Sequence, residues 1–260
     1  MICIRSTYDD DYYLPVIIKS IPPPPIHPVV MSIDDLFQKV STKTSAIHHQ
    51  NEIISLCRLE QQIEYRGLLA AWLKYPKMCV HRFGNYVMQL FARLDPVCVC
   101  SALLPRIVRL SKSERGCRIV QRLLESMRQC DLKAQMMLAI SSELSDIAKS
   151  KYGNYVIQTY MNYINDETIV SIININIKEW IGTRYGSRVI DNACKMCPDG
   201  MFNMLSSYTD EAYLKMASNR YAKYSLHYIL AILSREHRNE LTSQINIRKK
   251  FTYHVNDEVS

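Results

Sequence analysis

Lys151-Tyr-Gly-Asn-Tyr-Val-Ile-Gln158 decides the fold, because the chain repeats it. Arg82-Phe-Gly-Asn-Tyr-Val-Met-Gln89 is a near copy. Glu114-Arg-Gly-Cys-Arg-Ile-Val-Gln121 and Arg184-Tyr-Gly-Ser-Arg-Val-Ile-Asp191 are variants, and Arg220-Tyr-Ala-Lys-Tyr-Ser-Leu-His227 is the most worn copy. The residue after the Gly or Ala is taken as offset zero. The copies then start at 85, 117, 154, 187 and 223, at steps of 32, 37, 33 and 36 residues. A motif returning at this period marks a repeat solenoid, in which each unit packs on its neighbours. From residue 77 to 243 each unit reads as a short helix, the motif helix and a third helix of apolar period. Ile172-Ile-Asn-Ile-Asn-Ile177 alternates like a strand but falls where other units have their third helix, so register outranks local propensity. The expected fold is all-α: a curved, right-handed α-solenoid of three-helix repeats of about 35 residues.

A helical wheel separates the motif into two sets. At about 100° per residue, offsets 2, 3, 6 and 7 fall on one side of the helix. They are Val156, Ile157, Tyr160 and Met161 in one copy, and Ile119, Val120, Leu123 and Leu124 in another. These form the expected buried stripe. Offsets 0, 1 and 4 lie on a separate arc, expected to be off the core face. They carry a small polar or thiol group, a flat Tyr or Arg, and an amide or acid. That is not the Glu and Lys of an ordinary solvated face. Flat groups on successive helices can sandwich planar ligands whose edges the amides and acids then bond, which suits a row of unstacked bases.

The rest of the composition narrows the classes. Forty-eight per cent of residues are apolar, enough for a continuous core, and the net charge of +7 permits a polyanionic partner without requiring one. Nine scattered cysteines, an odd number, and an N-terminus without a signal-peptide pattern suit a reduced intracellular protein. Cys194-Lys-Met-Cys197 has the spacing of a metal or redox pair, but no second pair follows at finger-like distance. Burial at a helix end is the better reading, so no metal and no cofactor is expected. There is no membrane-length apolar run, no Gly-rich phosphate loop and no HExxH, so an enzyme is not expected. Residues 1–30, with Pro22-Pro-Pro-Pro25, read as a flexible proline-rich segment. Ser32-Ile-Asp-Asp35 looks like a helix N-cap. Helices over 44–59 and 61–74 follow, the second stopped by Pro76. Residues 31–76 thus read as degenerate N-terminal helical repeats, with a poor motif match near Ser45 and His49, and 77–260 as the repeat array.

Over residues 77–255 these repeats resemble those of the PUF (Pumilio) family of single-stranded RNA-binding proteins, in which each helical repeat reads one base with two or three side chains. Arg248-Lys-Lys-Phe-Thr-Tyr253 resembles the start of the family's C-terminal capping half-repeat. That likens the copy at 223 to the final repeat and the copy at 85 to the fourth, so the N-terminal array is short. The resemblance implies uracil readers at Asn85 and Gln89 with Tyr86 stacking, and at Asn154 and Gln158 with Tyr155 stacking. It implies an adenine reader at Cys117 and Gln121 with Arg118. Ser187 and Arg188 match a guanine reader in which Asp191 replaces the family's Glu. Lys223, Tyr224 and His227 depart from the uracil reader at two of three positions. Arg82, Lys151, Arg184 and Arg220 recur two residues before the Gly or Ala, and phosphate attraction and plain solvation explain them equally well. The resemblance implies a monomer in the cytoplasm that binds 3′ untranslated regions of messenger RNA and recruits repression or deadenylation factors. A protein-interaction solenoid that has lost RNA binding is the alternative.

Overall fold

The computed structural model describes residues 32–244, apart from 59–61, 209–211, 214–215 and 217. The proline-rich segment and Arg248–Tyr253 lie outside the described residues. Those described are helical throughout, with no strand among them. The chain divides into two compact units, residues 1–103 and 104–260.

In the first unit, α1 (Ile33–Lys39) starts with a capping box in which Ser32 and Asp35 bond each other's backbone amides. The next helices are α2 (Lys43–Arg58) and α3 (Gln62–Leu73). A 3-10 turn at Pro76–Val80 leads to α4 (Gly84–Leu94), the first clear motif helix, and α5 (Pro96–Leu103) follows. A polar chain runs through this unit. Trp72 Nε1 donates to His49 Nε2 at 3.1 Å, so the ring's proton sits on Nδ1, which donates to Glu52 at 2.7 Å. Lys39 reaches the same carboxylate at 2.8 Å. Burial keeps the His49 pKa below its usual value. Burial opposes the Glu52 charge, but the His49 and Lys39 bonds outweigh it and hold the pKa at about 2.

The second unit repeats one plan. Its helices are α6 (Ile107–Ser111), α7 (Gly116–Ser126), α8 (Asp131–Ser142), α9 (Leu144–Lys149), α10 (Gly153–Met161) and α11 (Asp166–Trp180). Then come α12 (Gly186–Met196), α13 (Pro198–Ser206), α14 (Arg220–Ile232) and α15 (Arg235–Gln244). The motif helices α7, α10, α12 and α14 pack side by side in chain order. Their offsets 2, 3, 6 and 7 form the core as the periodicity requires. Val156, Ile157, Met161, Ile119, Val120, Leu123 and Leu124 are fully buried, and such side chains stabilise by roughly 1.5–3 kcal/mol each. The strand-like stretch 172–177 is helical. Ile169, Ile173, Ile177 and Trp180 recur on one buried face of α11, and that packing overrides β propensity. Asn165 caps α11 by accepting from Thr168 N.

Two cations close helix C-termini. Lys133 of α8 is buried, and its Nζ donates at 2.9 Å to both Leu124 O and Met127 O at the end of α7. It also lies 3.8 Å from the centre of the Tyr163 ring. Arg238 of α15 donates to Leu230 O, Ala231 O and Leu233 O at the end of α14. Cys194 and Cys197 are buried, and burial raises both thiol pKa values, that of Cys197 to about 11. Among the described residues no group of three His, Cys, Asp or Glu could hold a metal ion. No described helix is long and apolar enough to cross a membrane.

Candidate nucleic-acid interface

The site is built from the turn that leads into each motif helix. Four residues before offset zero stands a capping side chain: His81, Ser113, Ser150 or Thr183. Each accepts from the glycine amide: Gly84 N to His81 Nδ1 at 3.0 Å, Gly116 N to Ser113 Oγ at 2.9 Å, Gly153 N to Ser150 Oγ at 2.8 Å, Gly186 N to Thr183 Oγ1 at 3.1 Å. At Gly116, Gly153 and Gly186 the glycine is required by close approach. A Cβ at Gly186 would lie 2.7 Å from Trp180 O, and one at Gly153 would overlap Ile147 O and Ser150 Oγ. These capping residues escaped sequence reasoning. A Ser, Thr or His at a fixed four-residue offset was the signal that could have found them.

Offset zero differs from expectation. The wheel set Asn85, Cys117, Asn154 and Ser187 off the core face, yet all four are buried, Asn154 completely. The reason is the lead-in turn, which covers the helix start and which the wheel ignores. Each side chain donates to a carbonyl of that turn. Asn85 Nδ2 bonds His81 O and Arg82 O, Asn154 Nδ2 bonds Ser150 O and Lys151 O, Cys117 Sγ bonds Glu114 O, and Ser187 Oγ bonds Arg184 O. Burial raises the Cys117 pKa to about 11, so the thiol is a protonated donor rather than a nucleophile.

Offset four shows two arrangements. In α4 and α10 the amide folds back: Gln89 Nε2 donates to Asn85 Oδ1 at 2.9 Å and Gln158 Nε2 to Asn154 Oδ1 at 3.1 Å. With its nitrogen held this way, the carboxamide oxygen is the acceptor that a uracil N3–H can use. In α7 the amide reaches the next repeat, where Gln121 Nε2 donates to Tyr155 O at 3.3 Å and Thr159 Oγ1 at 3.0 Å. Asp191 of α12 also meets the next repeat, at Ser225. Its Oδ1 is buried without a hydrogen-bond partner, and burial raises the carboxyl pKa despite Ser225, Lys195 and Arg188. A buried acceptor of this kind is satisfied only by a donor from outside.

Offset one forms a row. The Arg118 guanidinium lies 5.6 Å from the Tyr155 ring centre, and Arg188 Nη1 reaches Tyr155 Oη at 3.5 Å. Arg118 and Arg188 are exposed and Tyr155 half-buried. Tyr86 is half-buried on α4, and Tyr224 on α14 is 63% exposed. The recurring cations lie over the ring of the residue that follows: Arg82 over Phe83, Lys151 over Tyr152, Arg184 over Tyr185 and Arg220 over Tyr221, at 5.0–5.6 Å. That contact is a reason for their recurrence which neither solvation nor phosphate supplies. On α14, Lys223 and His227 hold offsets zero and four.

Stacked motif helices that aim a flat group and a hydrogen-bonding group to one side define a helical-repeat solenoid. Residues 74–90, 106–141 and 144–175 match the family model described as Pumilio-family RNA binding repeat. Over those stretches the chain resembles the PUF family. It is similar to the putative pumilio homolog 7, chloroplastic, of Arabidopsis thaliana, at 24% identity over 160 residues. The match covers 58% of this chain and 25% of that protein, so the chain spans about a quarter of its relative's length. Its fold is similar to PUF-8 in complex with PBE-RNA, with a TM-score of 0.66 and 19% identity, over 81% of this chain and 63% of that one. It is also similar to the Puf3 RNA binding domain bound to a Cox17 RNA 3′ UTR recognition sequence, with a TM-score of 0.60 and 20% identity, over 84% and 66% of the two chains.

Proposed function

We propose that the protein binds single-stranded RNA in a sequence-specific way, one base per motif helix. The row Arg118, Tyr155, Arg188, with Gln121, Gln158 and Asp191 one turn beyond, carries this reading. A base between two flat groups needs about 7 Å, twice the roughly 3.4 Å spacing of stacked bases. The 5.6 Å gap between Arg118 and Tyr155 therefore has to open by little more than an ångström, which the exposed Arg118 side chain can supply by turning away from the half-buried ring.

With the RNA running antiparallel to the chain, the helices of the second unit read 5′-UGUA-3′ or 5′-NGUA-3′, and α4 reads a following uracil. The proposed element is UGUAU, in 3′ untranslated regions of messenger RNA. The consequence is repression or decay through recruited factors, by a cytoplasmic monomer. Selection from a randomised RNA pool tests it. Enrichment of GUA is expected, and a pool with none would overturn the sequence assignment. The protein-scaffold alternative predicts no RNA binding beyond the salt-sensitive attraction of a basic surface, which a titration against scrambled RNA at rising salt separates.

A further inference from the structure

We propose that Thr159 of α10 is a positioning residue for the base read by α7: it fixes which way round the Gln121 amide lies, and so makes that reader choose a base with an exocyclic amino group over one with a keto oxygen. The proposal rests on the RNA-binding reading above.

The offset-four side chains differ in what holds them. Where offset zero is Asn, the amide nitrogen is drawn back to its own helix, as in Gln89–Asn85 and Gln158–Asn154. Where offset zero is smaller, the hold comes from the next motif helix. Gln121 meets Tyr155 O and Thr159, and Asp191 meets Ser225. Helix α2 follows this second pattern. Its Thr42 Oγ1 accepts from Ser45 N at 3.0 Å, as Ser150 accepts from Gly153 N, so Thr42 is the cap, Ser45 the counterpart of the glycine, Ala46 offset zero and Gln50 offset four. Gln50 Nε2 then donates to Tyr86 O of α4 at 2.9 Å, as Gln121 does to Tyr155 O. What α7 has in addition is the hydroxyl of Thr159, at offset five of α10. Leu90, Arg122, Asn192 and Tyr228 hold that place in the other copies.

Bond directions decide what this hydroxyl does. Thr159 Oγ1 gives its one proton to Tyr155 O at 3.0 Å, so toward Gln121 it accepts. Tyr155 O also only accepts. Both contacts on α10 therefore require the Gln121 nitrogen, and turning the amide over would set its oxygen against two acceptors. The Gln121 oxygen is held on the other side, 3.4 Å from Nη1 of the exposed Arg118. Adenine and cytosine present an amino donor beside a ring-nitrogen acceptor, whereas uracil and guanine present a keto acceptor beside an N–H donor. An amide matches the first order one way round and the second order the other way round, so fixing it chooses between the two pairs. The uracil readers keep the nitrogen on the side of their own helix start. Gln121 keeps it on the side of the next helix, so a base entering the row in the same way meets the reverse order, which is that of adenine or cytosine.

The test uses the full chain and the RNAs UGUAU, UGUCU, UGUGU and UGUUU, which differ at the base assigned to α7. The first two are expected to bind more tightly than the last two, the adenine form by about tenfold over the uracil form, within the range of one mismatched base. Thr159→Val, which keeps the shape and removes the hydroxyl, should narrow that gap to about threefold, because one hydrogen bond is lost and Tyr155 O remains as an acceptor. Thr159→Ser should keep the gap. Thermal melting checks the fold of both variants. The third base separates positioning from mere support of α10. It is read by α10 itself, so a structural defect in that helix would blur UGUAU against UGAAU, while loss of positioning leaves that contrast intact. If Thr159→Val leaves the adenine–uracil gap unchanged, or blurs the third base as much as the fourth, or if the unaltered protein shows no such gap, the proposal is overturned while the RNA-binding reading stands. If UGUAU binds no better than a scrambled RNA, both fall.

Discussion

Four motif helices begin at glycine, and two do not. Helices α4, α7, α10 and α12 start at Gly84, Gly116, Gly153 and Gly186. Helices α2 and α14 have Ser45 and Ala222 at the equivalent place, and each starts two residues earlier, directly after its cap. The cap itself is constant: Asn219 accepts from Ala222 N as Ser150 does from Gly153 N. Half a turn of helix therefore depends on one missing Cβ. Where glycine lets the lead-in turn close over the helix, the carbonyls of that turn need a donor, and Asn85, Cys117, Asn154 and Ser187 supply it. Where the turn is absorbed into helix, the chain carries Ala46 and Lys223 at offset zero. Glycine and the small donor are thus one structural device, and sequence wear at one explains wear at the other.

The largest expected effect comes from forcing one kind of start onto the other. Gly153→Ala pushes a methyl into Ile147 O and should cost about 2–3 kcal/mol, read as a lower denaturant midpoint. Ala222→Gly meets no such contact and should cost only about 0.5–1 kcal/mol, from chain entropy. Equal losses at the two sites would dissolve the distinction.

Next is the donor. Asn154→Ala strands the Lys151 carbonyl, leaves Ser150 O with only the backbone amide of residue 154, and should destabilise by about 2 kcal/mol. Asn154→Ala also removes the acceptor of Gln158 Nε2 and should blur the base preference of α10. Gln158→Ala should weaken that preference by about 1–2 kcal/mol and, by stranding the buried Asn154 Oδ1, should cost stability by about 1 kcal/mol as well. Lys151→Ala should weaken all RNAs alike and reduce the salt dependence.

The period, the buried offsets and the helical state of 172–177 were legible because all three follow from apolar spacing, which packing enforces. The chemistry of offset zero was not. A helical wheel treats the helix as bare, while the turn before Asn154 covers it from above. Nor was the register of α2 legible. It lacks the glycine and places His49 where other copies have Met88, Val120, Ile157 or Ile190, and only the bonds to Trp72 and Glu52 make a histidine fit there. The partner of Asp191 was hidden for another reason: Ser225 belongs to the next repeat, and no spacing rule within one motif points to it.

The smallest effect concerns that acid. Its carboxyl pKa is raised by burial above 3.8, so the neutral form favours the fold. The stabilisation is full below 3.8 and is lost as pH rises through the raised value, so Asp191→Asn should leave stability at neutral pH unchanged or slightly higher. A guanine needs the ionised form. Affinity for UGUAU should therefore fall as pH drops toward that value, while a version with adenine at the second base should respond less. Asp191→Glu, with one more methylene of reach, should tighten the guanine RNA a few-fold, about 1 kcal/mol or less. A flat pH profile, with unchanged affinity for RNAs carrying each of the four bases at the second position, would show that residue 191 meets no base.

Gln121 has a further consequence. Its amide is both the group set toward a base and the stitch from α7 to Tyr155 O and Thr159 Oγ1 of α10. A change made there to alter one letter also loosens the support of the neighbouring letter. Repeats that stitch this way cannot be recoded independently, like beads exchanged on a string. The pair Asn85–Gln89 bonds within one helix, so an engineer seeking a new recognition sequence would begin with α4 and change α7 last.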